Sequence, residues 1–73
     1  MKRIIVFGAA GRTGKYVVQY GLEAGHHVTA FDRHPNPPHA ITHPNFTHIV
    51  GDVYSQEQVE KAIEGKDVVI STI

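Results

Sequence analysis

The chain has 73 residues, enough for one small domain. At that size a fold buries roughly 60% of its unfolded surface, so marginal stability is expected. Seven Lys+Arg balance seven Asp+Glu and there is no cysteine, which argues against a nucleic-acid or anionic-membrane binder, a disulfide framework and a thiolate metal site.

The first element is Ile4-Ile5-Val6-Phe7, a short β-branched apolar run that ends at Gly8. It reads as a strand buried on both faces, as in a parallel sheet. It is far shorter than the ~20 residues of a membrane span and too short for the core of a signal peptide. A soluble cytoplasmic chain is the expectation. From Thr13 to Ala24 the period becomes helical. Gly14, Val17, Val18, Gly21, Leu22 and Gly25 fall on one stripe, with Lys15, Gln19 and Glu23 opposite. Gly25 stands where a C-terminal cap belongs. Gly21 in mid-helix costs about 1 kcal/mol against Ala, which close helix–sheet approach would offset.

His27-Val28-Thr29-Ala30-Phe31 is a second strand, running into Asp32. Residues 34–45 hold four prolines and read as a loop. Phe46-Thr47-His48-Ile49-Val50 is a third strand, closed by Gly51-Asp52. Ser55 and Gln58 fit a capping box at the start of a second helix, and Gly65 fits its end. Residues 67–73 are the fourth strand, continuously apolar from Val68 to Ile70. The order β-α-β-loop-β-α-β predicts an α/β fold. It is the first half of a Rossmann-type doubly wound parallel sheet, with strand order 3-2-1-4 and helices on both faces. Residues 1–73 then form a partial domain of that type.

The chemistry starts at Gly8, Gly11 and Gly14, which stand between a strand and a helix. Gly8 permits the tight turn, Gly11 lets backbone approach a pyrophosphate, and Gly14 lets helix and strand pack closely. The helix N-terminus adds unpaired N–H groups and partial positive charge. The spacing G-x-x-G-x-x-G is one residue longer than the common dehydrogenase pattern. The alternative is a turn of purely structural use. Asp32-Arg33 closes the second strand. A carboxylate there accepts from an adenosine ribose and favours NAD, whereas an arginine pairs with a 2′-phosphate and favours NADP. Asp32 would repel that phosphate unless it turned away. A solvated ion pair is the plainer alternative. Arg12 is a second phosphate candidate, or a solvent-facing turn residue. With two arginines near the adenosine end, NADP is slightly favoured over NAD. Asp52-Val53 would lie beside the adenine, or else Asp52 is a local turn cap. The six histidines form no metal-binding spacing and read as polar residues, three of them in the Pro-rich loop.

Gly8-Ala9-Ala10-Gly11-Arg12-Thr13-Gly14, Phe31-Asp32-Arg33, Gly51-Asp52-Val53 and Val68-Val69-Ile70-Ser71-Thr72-Ile73 together resemble atypical short-chain dehydrogenase/reductase proteins. The resemblance is to the NAD(P)H-binding group of NmrA-like regulators and biliverdin/flavin reductases. It covers essentially the whole chain but only the first third of a family member. It implies that Gly8, Ala10, Gly11, Arg12 and Thr13 line the pyrophosphate and that Arg33 meets the 2′-phosphate. Asp52 and Val53 would hold the adenine, and Thr72-Ile73 would pass beneath the inner ribose. The family often has Thr at the position of Ala10, and its NADP users often have an apolar residue at the position of Asp32. Its Tyr-x-x-x-Lys pair is absent, so these residues lack a catalytic constellation.

Two functions follow as expectations: the cofactor-binding part of an NAD(P)H-dependent oxidoreductase, or a dinucleotide-sensing regulator without turnover. The expected partner is the dinucleotide, with neither nucleic acid nor membrane. If the chain ends at Ile73, the apolar edge of residues 67–73 would pair with a second copy.

Overall fold

A computed structural model of the chain describes residues 1–8, 12–33 and 43–71. Its elements are β1 (Arg3–Phe7), α1 (Arg12–Glu23), β2 (His27–Asp32), β3 (Phe46–Val50), α2 (Gln56–Ile63) and β4 (Val68–Ser71). Ala10, Gly11, Thr72, Ile73 and the Pro-rich stretch 34–42 lie outside the described residues.

The strands pair in parallel in the order β3-β2-β1-β4, as the alternation predicts. β1 occupies the interior because every residue from Ile4 to Phe7 is apolar and can be buried on either face. Ile4 pairs with Val28 on one side and Val68 on the other. Asp67 fixes the start of that second pairing: its Oδ2 accepts from the Arg3 N–H at 2.8 Å, and its own N–H donates to the Arg3 carbonyl at 2.8 Å.

The two-residue alternation of the strands divides the core. Ile4, Val6, Val28 and Ala30 point to one face, where Val18 of α1 completes a buried cluster with Val17 and Leu22 beside it. Ile5, Phe7 and Phe31 point to the other, against Ala62 of α2, with Ile49, Val53 and Val59 around them. The Phe7 and Phe31 rings meet at 5.1 Å between centroids with a tilt of 56°. The helices therefore cover opposite faces, as expected of a doubly wound sheet.

Some boundaries shift. α1 begins at Arg12, one residue before the expected start, so Arg12 belongs to the helix and not to the turn. Gly25 and Gly65 follow the two helices with φ of 85° and 72°, as their capping positions require. The described part of β4 is less buried than its apolar sequence suggests, with Val69 at 54% exposure. Among the described residues β4 pairs with β1 alone, and neither core cluster includes Val69.

Gly21 shows how tightly α1 lies on the sheet. A Cβ added there would stand 2.8 Å from Val28 Cγ2 and 3.7 Å from Ile4 Cδ1. Val28 is β-branched and 1% exposed, so it has little room to yield. Helix propensity alone predicts that Gly21→Ala stabilises by about 1 kcal/mol, but overpacking typically costs about 1–3 kcal/mol. We expect a net loss of stability, read as a lower midpoint in urea unfolding. A raised midpoint would mean that the helix can lift from the sheet.

Candidate dinucleotide-binding site

Parallel strands bring all their carboxyl ends to one edge. Ligands of open α/β sheets bind outside that edge, where the chain reverses direction across the sheet. Here the reversal falls between β1 and β4, because α1 and α2 lie on opposite faces. The C-terminal ends of β1, β2 and β3 carry Gly8, Asp32-Arg33 and Gly51-Asp52 respectively, so the predicted residues of these three segments share one edge.

Gly8 turns the chain out of β1 with φ of 80°, a conformation that costs a residue with a Cβ. Its N–H donates to the Phe31 carbonyl at 3.3 Å, which ties the turn to the end of β2. α1 opens after the turn with Arg12 and Thr13 exposed and Gly14 buried. Its first turn has no acidic residue, so no carboxylate of that turn offsets the partial positive charge there. The N-terminus of α2 differs: it has Glu57 in the first turn and Ser55 as cap.

At the end of β2 the adjacent pair divides. Arg33 is exposed, whereas Asp32 is 7% exposed. Asp32 Oδ1 lies 3.2 Å from Nε2 of His48. An ionised carboxylate only accepts, so Nε2 carries the proton and donates. His48 lies in β3, the strand to which its sequence assigned it. It pairs in register with Ala30, two residues before Asp32 and on the same face, and its side chain is 9% exposed. Sequence reading missed this role. The available signal was a polar side chain at alternate spacing from Phe46, on the buried face of a strand.

The turn after β3 is held from several sides. Gly51 N–H donates to the Asp32 carbonyl at 2.8 Å. A Cβ at Gly51 would lie 2.5 Å from Phe31 Cζ, so only glycine fits over that ring. Asp52 is exposed, and its Oδ1 accepts from the Tyr54 N–H at 2.9 Å, the geometry of a local cap. Val53 packs beside the Phe7–Phe31 cluster. The Gln58 N–H donates to Ser55 Oγ at 3.4 Å, as the capping box predicts. The return contact differs. Gln58 Oε1 accepts from the Asp52 N–H at 2.7 Å, because the Ser55 N–H is already given to the Asp52 carbonyl at 3.0 Å. Gln58 therefore fixes Asp52, a second role that spacing alone did not reveal.

No helix among the described residues is long and apolar enough to cross a membrane. A groove of about 250 Å³ lies on the α2 side, between Phe31, Ile49, Val50, Gln58, Lys61 and Ala62. It is on the face opposite the Asp32–His48 contact.

Comparison with known proteins places these features in a family. A 3-beta-hydroxysteroid dehydrogenase of Mycolicibacterium neoaurum is 41% identical over 70 residues, covering 96% of this chain and 19% of that protein. A Rossmann-fold NAD(P)-binding family protein of Shigella flexneri superposes with a TM-score of 0.89 at 27% identity, over 100% of this chain and 38% of the other. The Bordetella bronchiseptica enzyme WbmH, solved in complex with NAD+, superposes with a TM-score of 0.87 at 27% identity, over 100% of this chain and 26% of the enzyme. The chain thus spans about a fifth to two fifths of the length of these proteins. The profile of the NAD(P)H-binding family matches residues 8–73, which begin at the glycine turn and run through both helices and the last three strands. With that match, and with a nicotinamide dinucleotide as its cofactor class, the chain belongs to the NAD(P)H-binding family.

Proposed function

We propose that these residues hold the adenosine-diphosphate end of NADP(H) within an oxidoreductase of the short-chain dehydrogenase/reductase type. One observation carries the reading. Gly8, Asp32-Arg33 and Gly51-Asp52 share one edge of the sheet, and α1 opens four residues after Gly8. Gly8, Ala10, Gly11, Arg12, Thr13 and Gly14 would surround the pyrophosphate, with helix N–H groups as donors. Asp52 and Val53 would border the adenine, and Thr72 and Ile73 the inner ribose. When bound, the nicotinamide supplies hydride transfer, and the protein supplies position and electrostatics. The dehydrogenase relative supports an oxidoreductase over a regulator without turnover.

The division at the end of β2 supports NADP over NAD. Exposed Arg33 is available to a 2′-phosphate, while buried Asp32 is engaged by His48. The outer edge of β4, with Val69 half exposed, supports pairing with a second copy when these 73 residues stand alone.

Calorimetric titration of the 73-residue chain with NADPH, NADH and ADP-ribose tests the site. NADPH should bind more tightly than NADH. ADP-ribose should bind about as well as NADH, because its adenosine end makes the contacts. Absence of heat with all three would defeat the proposal. Arg33→Ala should weaken NADPH about tenfold, the loss expected for one charge-assisted phosphate contact. NADH affinity should change by less than about twofold, since it offers Arg33 no 2′-phosphate. Sedimentation at tens of micromolar should reveal a dimer or larger assembly; a clean monomer would remove self-association from the proposal.

A further inference from the structure

We infer that His48 is a specificity-determining residue: its imidazole draws the Asp32 carboxylate aside and thereby admits a 2′-phosphate. The inference rests on the dinucleotide reading above but concerns a residue outside the glycine turn and the adenosine contacts.

The argument begins with charge. An ionised carboxylate at the end of β2 repels a phosphate brought to the same ribose. It also invites the 2′- and 3′-hydroxyls of NADH, to which it can accept. Both effects favour NADH. A chain that admits NADPH must weaken both while keeping Asp32. The Asp32–His48 contact does so. Nε2–H donates to Oδ1 over 3.2 Å, which occupies an acceptor that a ribose hydroxyl would otherwise use. The donated hydrogen also places positive partial charge against the carboxylate. This holds for the protonated imidazole and for the neutral tautomer with its hydrogen on Nε2, the one that an accepting carboxylate selects. Burial on both sides, 9% and 7% exposed, strengthens the contact relative to one in water. Meanwhile Arg33 faces solvent at the next position.

The geometry is specific to this pairing. His48 stands opposite Ala30, which is small and leaves the imidazole room to lean along the strands toward Asp32. Asp32 itself stands opposite Val50, whose side chain has no polar group to offer. Removal of the imidazole nitrogen therefore takes this donor from Oδ1 without supplying another from its register partner.

The test is the ratio of the Kd for NADH to the Kd for NADPH, measured by calorimetry on the full chain. His48→Val suits a strand position and removes the donor. It should lower the ratio about tenfold, through weaker NADPH and tighter NADH. His48→Phe, which keeps a ring without the donor, should do the same and stands in if the valine variant folds poorly. His48→Gln places an amide N–H near the position of Nε2 and should restore the ratio to within about twofold of the parent. In an Asp32→Ala background, His48→Val should leave the ratio unchanged. Equal weakening of both cofactors by His48→Val and His48→Phe would reduce His48 to structural support and overturn the inference. A shift that persists without Asp32 would also overturn it. If the parent chain binds NADH and NADPH but the ratio is fixed in every variant, only this inference falls; if it binds neither, the dinucleotide reading falls with it.

Discussion

Two-sided burial of β1 is the constraint on which the remaining structure rests. Four consecutive apolar residues, Ile4 to Phe7, leave no face for water. The strand must have a neighbour on each edge and a helix over each face. β2 and β4 satisfy the edges in parallel, and parallel neighbours require crossovers. The crossovers carry α1 to one face and α2 to the other. The strand ends then share one edge, and the point where the chain changes face falls beside β1. The location of the site is thus a consequence of packing. The chemistry was added to an edge that burial had already created.

Most of this could be read in the residues because the patterns are local. Continuous apolar runs gave the strands, and a stripe from Gly14 to Gly25 gave α1. The ends of β2 and β3 were legible for the same reason: each is a short segment whose neighbours state its context. Boundaries moved by a residue where no side chain marks the transition, as at Arg12.

Contacts between distant segments were not legible. His48 looked like one more polar residue among six histidines, since its significance depends on the β2–β3 register. Spacing in a sequence does not report register across a long connection. Gln58 was identified as a capping residue, but its side chain turns to Asp52 because a backbone bond has already satisfied Ser55. Asp52 illustrates a related point. The cap that it forms with Tyr54 engages one carboxylate oxygen, so a structural duty and a place beside an adenine can share one side chain.

The Asp32–His48 contact also bears on how the sheet is assembled. β2 ends at Asp32 and β3 begins at Phe46, far apart in the chain, so local sequence does little to set their alignment. β3 is an edge strand of intermediate burial, and apolar contacts alone discriminate weakly between neighbouring alignments of such a strand. A slip of one residue would carry the imidazole to the opposite face, leave Oδ1 of a buried carboxylate without that donor, and exchange Ile49 for His48 or Val50 against the phenylalanine cluster. That error is costly because a polar mismatch is penalised as well as a hydrophobic one. The same pair of side chains therefore favours the observed strand alignment over its neighbours, with or without a ligand.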